Sequence, residues 1–66
     1  MAVLKVIEVL SNSSKSWEDA TAKAVKEASK TVKNIKSVYV QDQSAVVENS
    51  EVKEFRVNLK LTFEVK

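Results

Sequence analysis

The charged side chains of this sequence fall into separate groups, and each group invites a different chemistry. Glu48, Glu51 and Glu54 lie near one turn. Hard cations such as Ca²⁺ take several carboxylate and carbonyl oxygens, so this trio is one place to look for a metal. Its spacing matches no EF-hand loop, which needs Asp or Asn at alternate positions and a central Gly, and a solvated acidic turn is the competing reading. Lys23, Lys26, Lys30 and Lys33 recur along one stretch and would attract phosphate. Glu18, Asp19 and Glu27 are interspersed with them, which reads equally as a solvated helix face. Trp17 either stacks on a flat ligand or closes the end of a core. Asp42 falls in step with Val38 and Val40, so simple alternation aims it at the core, where a carboxylate needs a partner or a metal. A strand bulge near Gln41–Ser44, or a strand end running past the helix, would re-aim it.

What is missing narrows the chemistry further. The chain has no His and no Cys. A Ser-His or Cys-His nucleophile is therefore impossible, and so are disulfides and thiolate metal sites. It has no Gly and no Pro. Loops that cradle phosphates need Gly, because only a residue without Cβ lets the backbone approach closely. No enzymatic constellation is left, and the expectation is a protein without catalytic activity. Net charge is +2 with both signs interspersed, which argues against a nucleic-acid partner. The apolar run AVLKVIEVL is short and broken by Lys5 and Glu8, so neither a signal peptide nor a membrane span is expected. The expected location is cytoplasmic.

The elements that must position these groups follow from periodicity. Ala2 to Leu10 is rich in Val, Ile and Leu and reads as a strand, apolar on both faces. Ser16 is a good N-cap, with Asp19 completing a capping-box pattern. Trp17, Ala20, Ala24, Ala28, Val32 and Ile35 recur at helical spacing, with Val25 widening the stripe. The spacing predicts a helix over residues 16–34, ended by Asn34 in a left-handed conformation. Beyond it the period returns to two. Val38, Val40 and Val46 share one parity. Ser37, Tyr39, Gln41, Gln43, Ala45 and Val47 share the other. A turn at Glu48-Asn49-Ser50-Glu51 leads into a third strand. There Phe55, Val57, Leu59, Leu61, Phe63 and Val65 face a core, and Arg56, Asn58, Lys60, Thr62 and Glu64 face away.

The expected fold class is α+β, in the order β-α-β-β: a three-stranded antiparallel sheet curved around one helix, in a single domain over residues 1–66. A domain of this size buries only about 60% of its unfolded surface. With disulfides excluded, oligomerisation is the remedy left.

KVIEVL, then a Ser/Asn segment, then SWEDATAKAVKEASKTVKNI, then a strand with the pair Asp42-Gln43, then EFRVNLKLTFEV, resembles the dodecin family from Lys5 to Val65. The resemblance implies a hollow homododecamer built of trimers, storing or sequestering a small ligand. Many dodecins hold flavin, with a Trp on the second strand stacked on the ring and a Gln on the third strand bonded to its polar edge. Here those positions are Ser37 and Arg56. Ser37 offers no π surface, and Arg56 donates but cannot accept. The helix start SWED and the strand EFRVNL are more similar to the calcium dodecin branch, which lacks that Trp. The cofactor-binding candidates are therefore Ser37, Arg56 and Gln43, for FMN or riboflavin in an altered pocket. Asp42 is the candidate metal ligand, for calcium or magnesium. A structural shell with no ligand is the third reading.

Overall fold

The computed structural model describes residues 2–65. Strand β1 spans Val3–Ser13, helix α1 Trp17–Ala28, strand β2 Ile35–Glu48 and strand β3 Glu51–Val65. The sheet order is β1-β3-β2, with β3 antiparallel to both neighbours. The last strand of the sequence is thus the central one, and its inward residues form the core. Val57, Leu59 and Leu61 are fully buried, and Ala20 of α1 clusters with Val57 and Leu59, with Val9, Trp17 and Ala24 packed around them. Burying side chains of this size contributes about 1.5–3 kcal/mol each.

The helix starts where its cap predicts. Ser16 has extended backbone, and its Oγ accepts a hydrogen bond from Asp19 N at 2.9 Å. The capping box is only half made. The Asp19 carboxylate turns instead to β1, where Oδ2 accepts from buried Ser13 Oγ at 2.5 Å. The same Ser13 hydroxyl accepts from Lys15 N at 2.9 Å. The alanine stripe allows close approach to the sheet, and Ser11 Oγ donates to the Ala20 carbonyl at 2.8 Å.

The helix ends six residues earlier than its apolar spacing implies. Ser29 closes it, its backbone N–H and its Oγ both donating to the Val25 carbonyl. A short side chain that bonds a carbonyl one turn back competes with helix propagation. Lys30 N and Thr31 N then make tight i→i+3 bonds to Glu27 and Ala28, and β-branched Thr31 and Val32 do not favour further turns. Asn34 is left-handed as expected, at φ 65°, but it opens β2 rather than closing α1. Its carbonyl accepts from Glu64 N at 3.0 Å.

Asn49 and Ser50 both have positive φ. They form the two-residue hairpin between Glu48 and Glu51 at the place the sequence marks.

In β2 the register with β3 shifts between Ile35 and Ser37, between Val40 and Asp42, and between Val46 and Val47. The middle shift leaves Gln41 without a partner in the ladder and reverses the parity of the residues beyond it. Val40 lies opposite Leu59 on the helix side, and Asp42 opposite Asn58 on the far side. The bulge thus aims Asp42 away from the core. Gln43 is a correction: expected on the far face with Ser37, it lies opposite core residue Val57 and faces the helix side. Val46, expected inward, lies opposite outward-facing Glu54.

Strand β1 carries apolar side chains on both faces. Ile7 and Val9 lie opposite Leu61 and Leu59 on the helix side and are half-buried, but Leu4, Val6 and Leu10 on the far face are exposed.

Candidate functional site

Cross-strand register lays out the far face of the sheet row by row, because directly opposed residues share a face. Asn12, Arg56 and Ser44 form one row, and Leu10, Asn58 and Asp42 the next. Then come Glu8, Lys60 and Tyr39, followed by Val6, Thr62 and Ser37. The bulge at Gln41 is what brings Asp42 into this array. It places Asp42 diagonally across from Arg56, a separation of about 7–8 Å in an antiparallel pair.

Arg56 is exposed and sits in a shallow groove of about 140 Å³ bounded by Leu10, Asn12, Ser44 and Asn58. Asn12 Nδ2 donates to Glu54 Oε1 beside it. Among the described residues neither Arg56 nor Asp42 has an ionic partner within 4 Å. Such a guanidinium is free to take a carboxylate or phosphate through two parallel bonds.

Ser37 and Arg56 share the far face but not a neighbourhood. Ser37 lies opposite Thr62, six positions along β3 from Arg56, or about 20 Å at normal strand rise. A site using both takes them from two copies of the chain. The usual flavin sandwich does not fit these residues: Ser37 has no ring to stack, and Arg56 supplies only donors.

Calcium takes six to eight oxygens. Within one chain Asp42 has a single side-chain oxygen carrier directly opposite, Asn58. Among the described residues no group of three or more acidic, His or Cys side chains converges on one point. That holds for Glu48, Glu51 and Glu54 as well.

Trp17 packs against the core cluster. Its ring meets Phe55 edge-on, centroids 4.9 Å apart and planes at 77°. Its Nε1 donates to the Ser44 carbonyl at 2.9 Å. It closes the core where α1 begins and ties the helix to β2 just past the bulge.

The helix side holds a feature that sequence reading missed. Helix α1 lies over β1 and β3 and scarcely meets β2. Val38 and Val40 face it across an open apolar groove of about 640 Å³, walled also by Trp17, Thr21 and Val25, with Gln43 at one end. The signal was present in Val25, which lies off the alanine stripe that packs on the core. No helix of the described residues is long and apolar enough to cross a membrane.

Comparisons with known proteins agree with this architecture. The family model described as Dodecin matches residues 3–66. A calcium dodecin from Mycobacterium tuberculosis is 33% identical over 66 residues, covering 100% of this chain and 93% of the relative. The structure of dodecin from Streptomyces coelicolor superposes with a TM-score of 0.94 at 28% identity, over 98% of this chain and 93% of that one. A crystal structure of the calcium dodecin from Mycobacterium tuberculosis, described as having a novel calcium-binding site, superposes with a TM-score of 0.84 at 33% identity, over 97% and 91% of the two chains. Strand order, helix position and a match over nearly every residue lead to one conclusion: this chain belongs to the dodecin family.

Proposed function

We propose that the chain assembles into a hollow homododecamer built of trimers and serves as a non-enzymatic binding and storage protein for a small ligand or ion. The observation that carries this reading is the far face of the sheet. There Arg56 and Asp42, without ionic partners among the described residues, share one face with exposed Leu4, Val6 and Leu10. Large apolar side chains left exposed among such groups point to an interaction surface. Packing copies on it covers the leucines and brings distant polar groups together. The missing His and Cys support a role without catalysis.

Asp42 is the proposed cation contact, with calcium the first choice and magnesium the second. The end-to-end likeness to a calcium dodecin supports it. Further carboxylate or carbonyl oxygens come from neighbouring copies. A second reading, favoured by the unpaired Arg56, is an altered flavin pocket in which the guanidinium holds an anionic group. It predicts tighter binding of FMN than of riboflavin.

Light scattering on the purified protein tests the assembly, with a species of twelve chain masses expected; a stable single subunit overturns the proposal. Calorimetric titration with Ca²⁺ and Mg²⁺ tests the ion, with Asp42→Asn expected to weaken binding at least tenfold. Equal affinity in that variant removes Asp42 from the site.

A further inference from the structure

The β2–β3 hairpin runs well beyond the rest of the sheet. Strand β1 stops at the Ser13–Phe55 pair, while β2 and β3 stay paired as far as Glu48 and Glu51. On this extension Val47 lies directly opposite Val52, and the two are 63% and 53% exposed. Glu48 and Glu51 flank them at the turn. The tip thus presents two exposed valines beside an acidic turn.

The groove between α1 and β2 has the opposite character. It is concave and apolar, and it continues from Val25 and Val38 toward Ile35 and Lys36. Lys26 stands on its rim without an ionic partner among the described residues, and Lys36 is paired at 3.7 Å with Glu64. Glu18 lies at the other end, beside Trp17. A chain cannot fill its own groove. Val47 is nine positions past Val38 on the same strand, or about 30 Å along it.

We infer that the hairpin tip of one copy seats in the α1–β2 groove of the next. Val47 and Val52 enter against Val25, Val38 and Val40, and Glu48 and Glu51 meet Lys26 and Lys36 at the basic end. This assigns a role to two charge groups that the sequence leaves as solvated surface. The donating and accepting surfaces differ, so the contact is heterologous, and within the trimers proposed above its repetition would close a ring. The inference rests on the oligomer proposed above and specifies one of its interfaces.

Two surface variants test it. Val47→Asp with Val52→Asp spoils the tip, and Ala22→Glu places a carboxylate in the groove facing the acidic end. All three residues are exposed, so circular dichroism should match the parent protein. Should the tip variant lose helical signal, the double Ser variant at the same two positions replaces it. At micromolar concentration each variant alone is expected to show at least tenfold weaker self-association. An equimolar mixture should form a two-chain species, because the intact tip of one meets the intact groove of the other. Trp17 is the sole tryptophan and lines the groove, so its emission should shift to the red on loss of the tip. A parent protein that assembles while both variants assemble equally well overturns this interface and leaves the oligomer reading intact. A parent protein that stays a single subunit removes both. Variants that fail to associate but form no mixed pair, or a small apolar molecule retained in the groove, also overturn it.

Discussion

Trp17 reaches across 27 positions of sequence to donate its indole N–H to the Ser44 carbonyl at 2.9 Å. This bond fixes the first turn of α1 to β2 immediately beyond the bulge at Gln41. Trp17→Phe keeps an aromatic edge against Phe55 and loses the bond and part of the ring. The expected cost is about 1–2 kcal/mol, read from urea unfolding at fixed protein concentration, since assembly shifts apparent stability.

Gln41 is the residue the ladder skips, so removing it leaves Val40 opposite Leu59 and Asp42 opposite Asn58. Deleting Gln41 should therefore preserve the fold, with a stability change within about 1 kcal/mol. Deleting Tyr39 instead puts the preceding residues on the wrong faces. Comparing the helical signal and thermal midpoint of the two deletions checks the assignment; equal damage from both contradicts it.

The Asn49–Ser50 turn holds two residues at positive φ, 51° and 65°. Asn tolerates this well, but for Ser the left-handed region costs roughly 1–2 kcal/mol. Ser50→Gly relieves that cost and gives up some to the greater freedom of the unfolded chain. A net gain of about 0.5–1 kcal/mol is expected in denaturant unfolding, and a loss would contradict the turn geometry.

Ser13 is 4% exposed and bonds both Lys15 N and the Asp19 carboxylate. Asp19→Ala leaves that buried hydroxyl without its acceptor, at an expected cost of about 1–3 kcal/mol. Ser16→Ala removes the N-cap alone, at about 1 kcal/mol. A double-mutant cycle with Ser13→Ala should show coupling between Ser13 and Asp19 and near-additivity between Ser13 and Ser16.

Ser37 lies exposed on the far face opposite Thr62. Ser37→Trp adds the ring surface that a stacked flavin requires, worth about 0.5–1.5 kcal/mol beyond burial. Titration of FMN with the variant should quench flavin fluorescence at concentrations where the parent protein leaves it unchanged. Equal response from both proteins places the flavin elsewhere.

The sequence shows the order of elements, the Ser16 cap, the turn at Asn49 and the inward face of β3, because each is decided within a few residues. It does not show that β3 lies in the middle of the sheet. That depends on pairing between β1 and β3, whose residues are as distant in sequence as Val3 and Val65. The early end of α1 is also hidden, since the apolar spacing continues through Val32 and Ile35 while the Ser29 hydroxyl bonds Val25.

The candidate site divides in the same way. Exclusion of His- and Cys-based chemistry, the absent stacking ring at Ser37 and the donor-only Arg56 are matters of residue type, and the sequence alone determines them. The facing of Asp42 and Gln43 is not. One unpaired residue in a strand reverses every side chain after it, and whether Gln41 is that residue depends on its partners in β3. The open groove beneath Val38 and Val40 is likewise a tertiary fact. It exists because the small side chains of Ala20 and Ala24 draw α1 onto β1 and β3, leaving β2 uncovered.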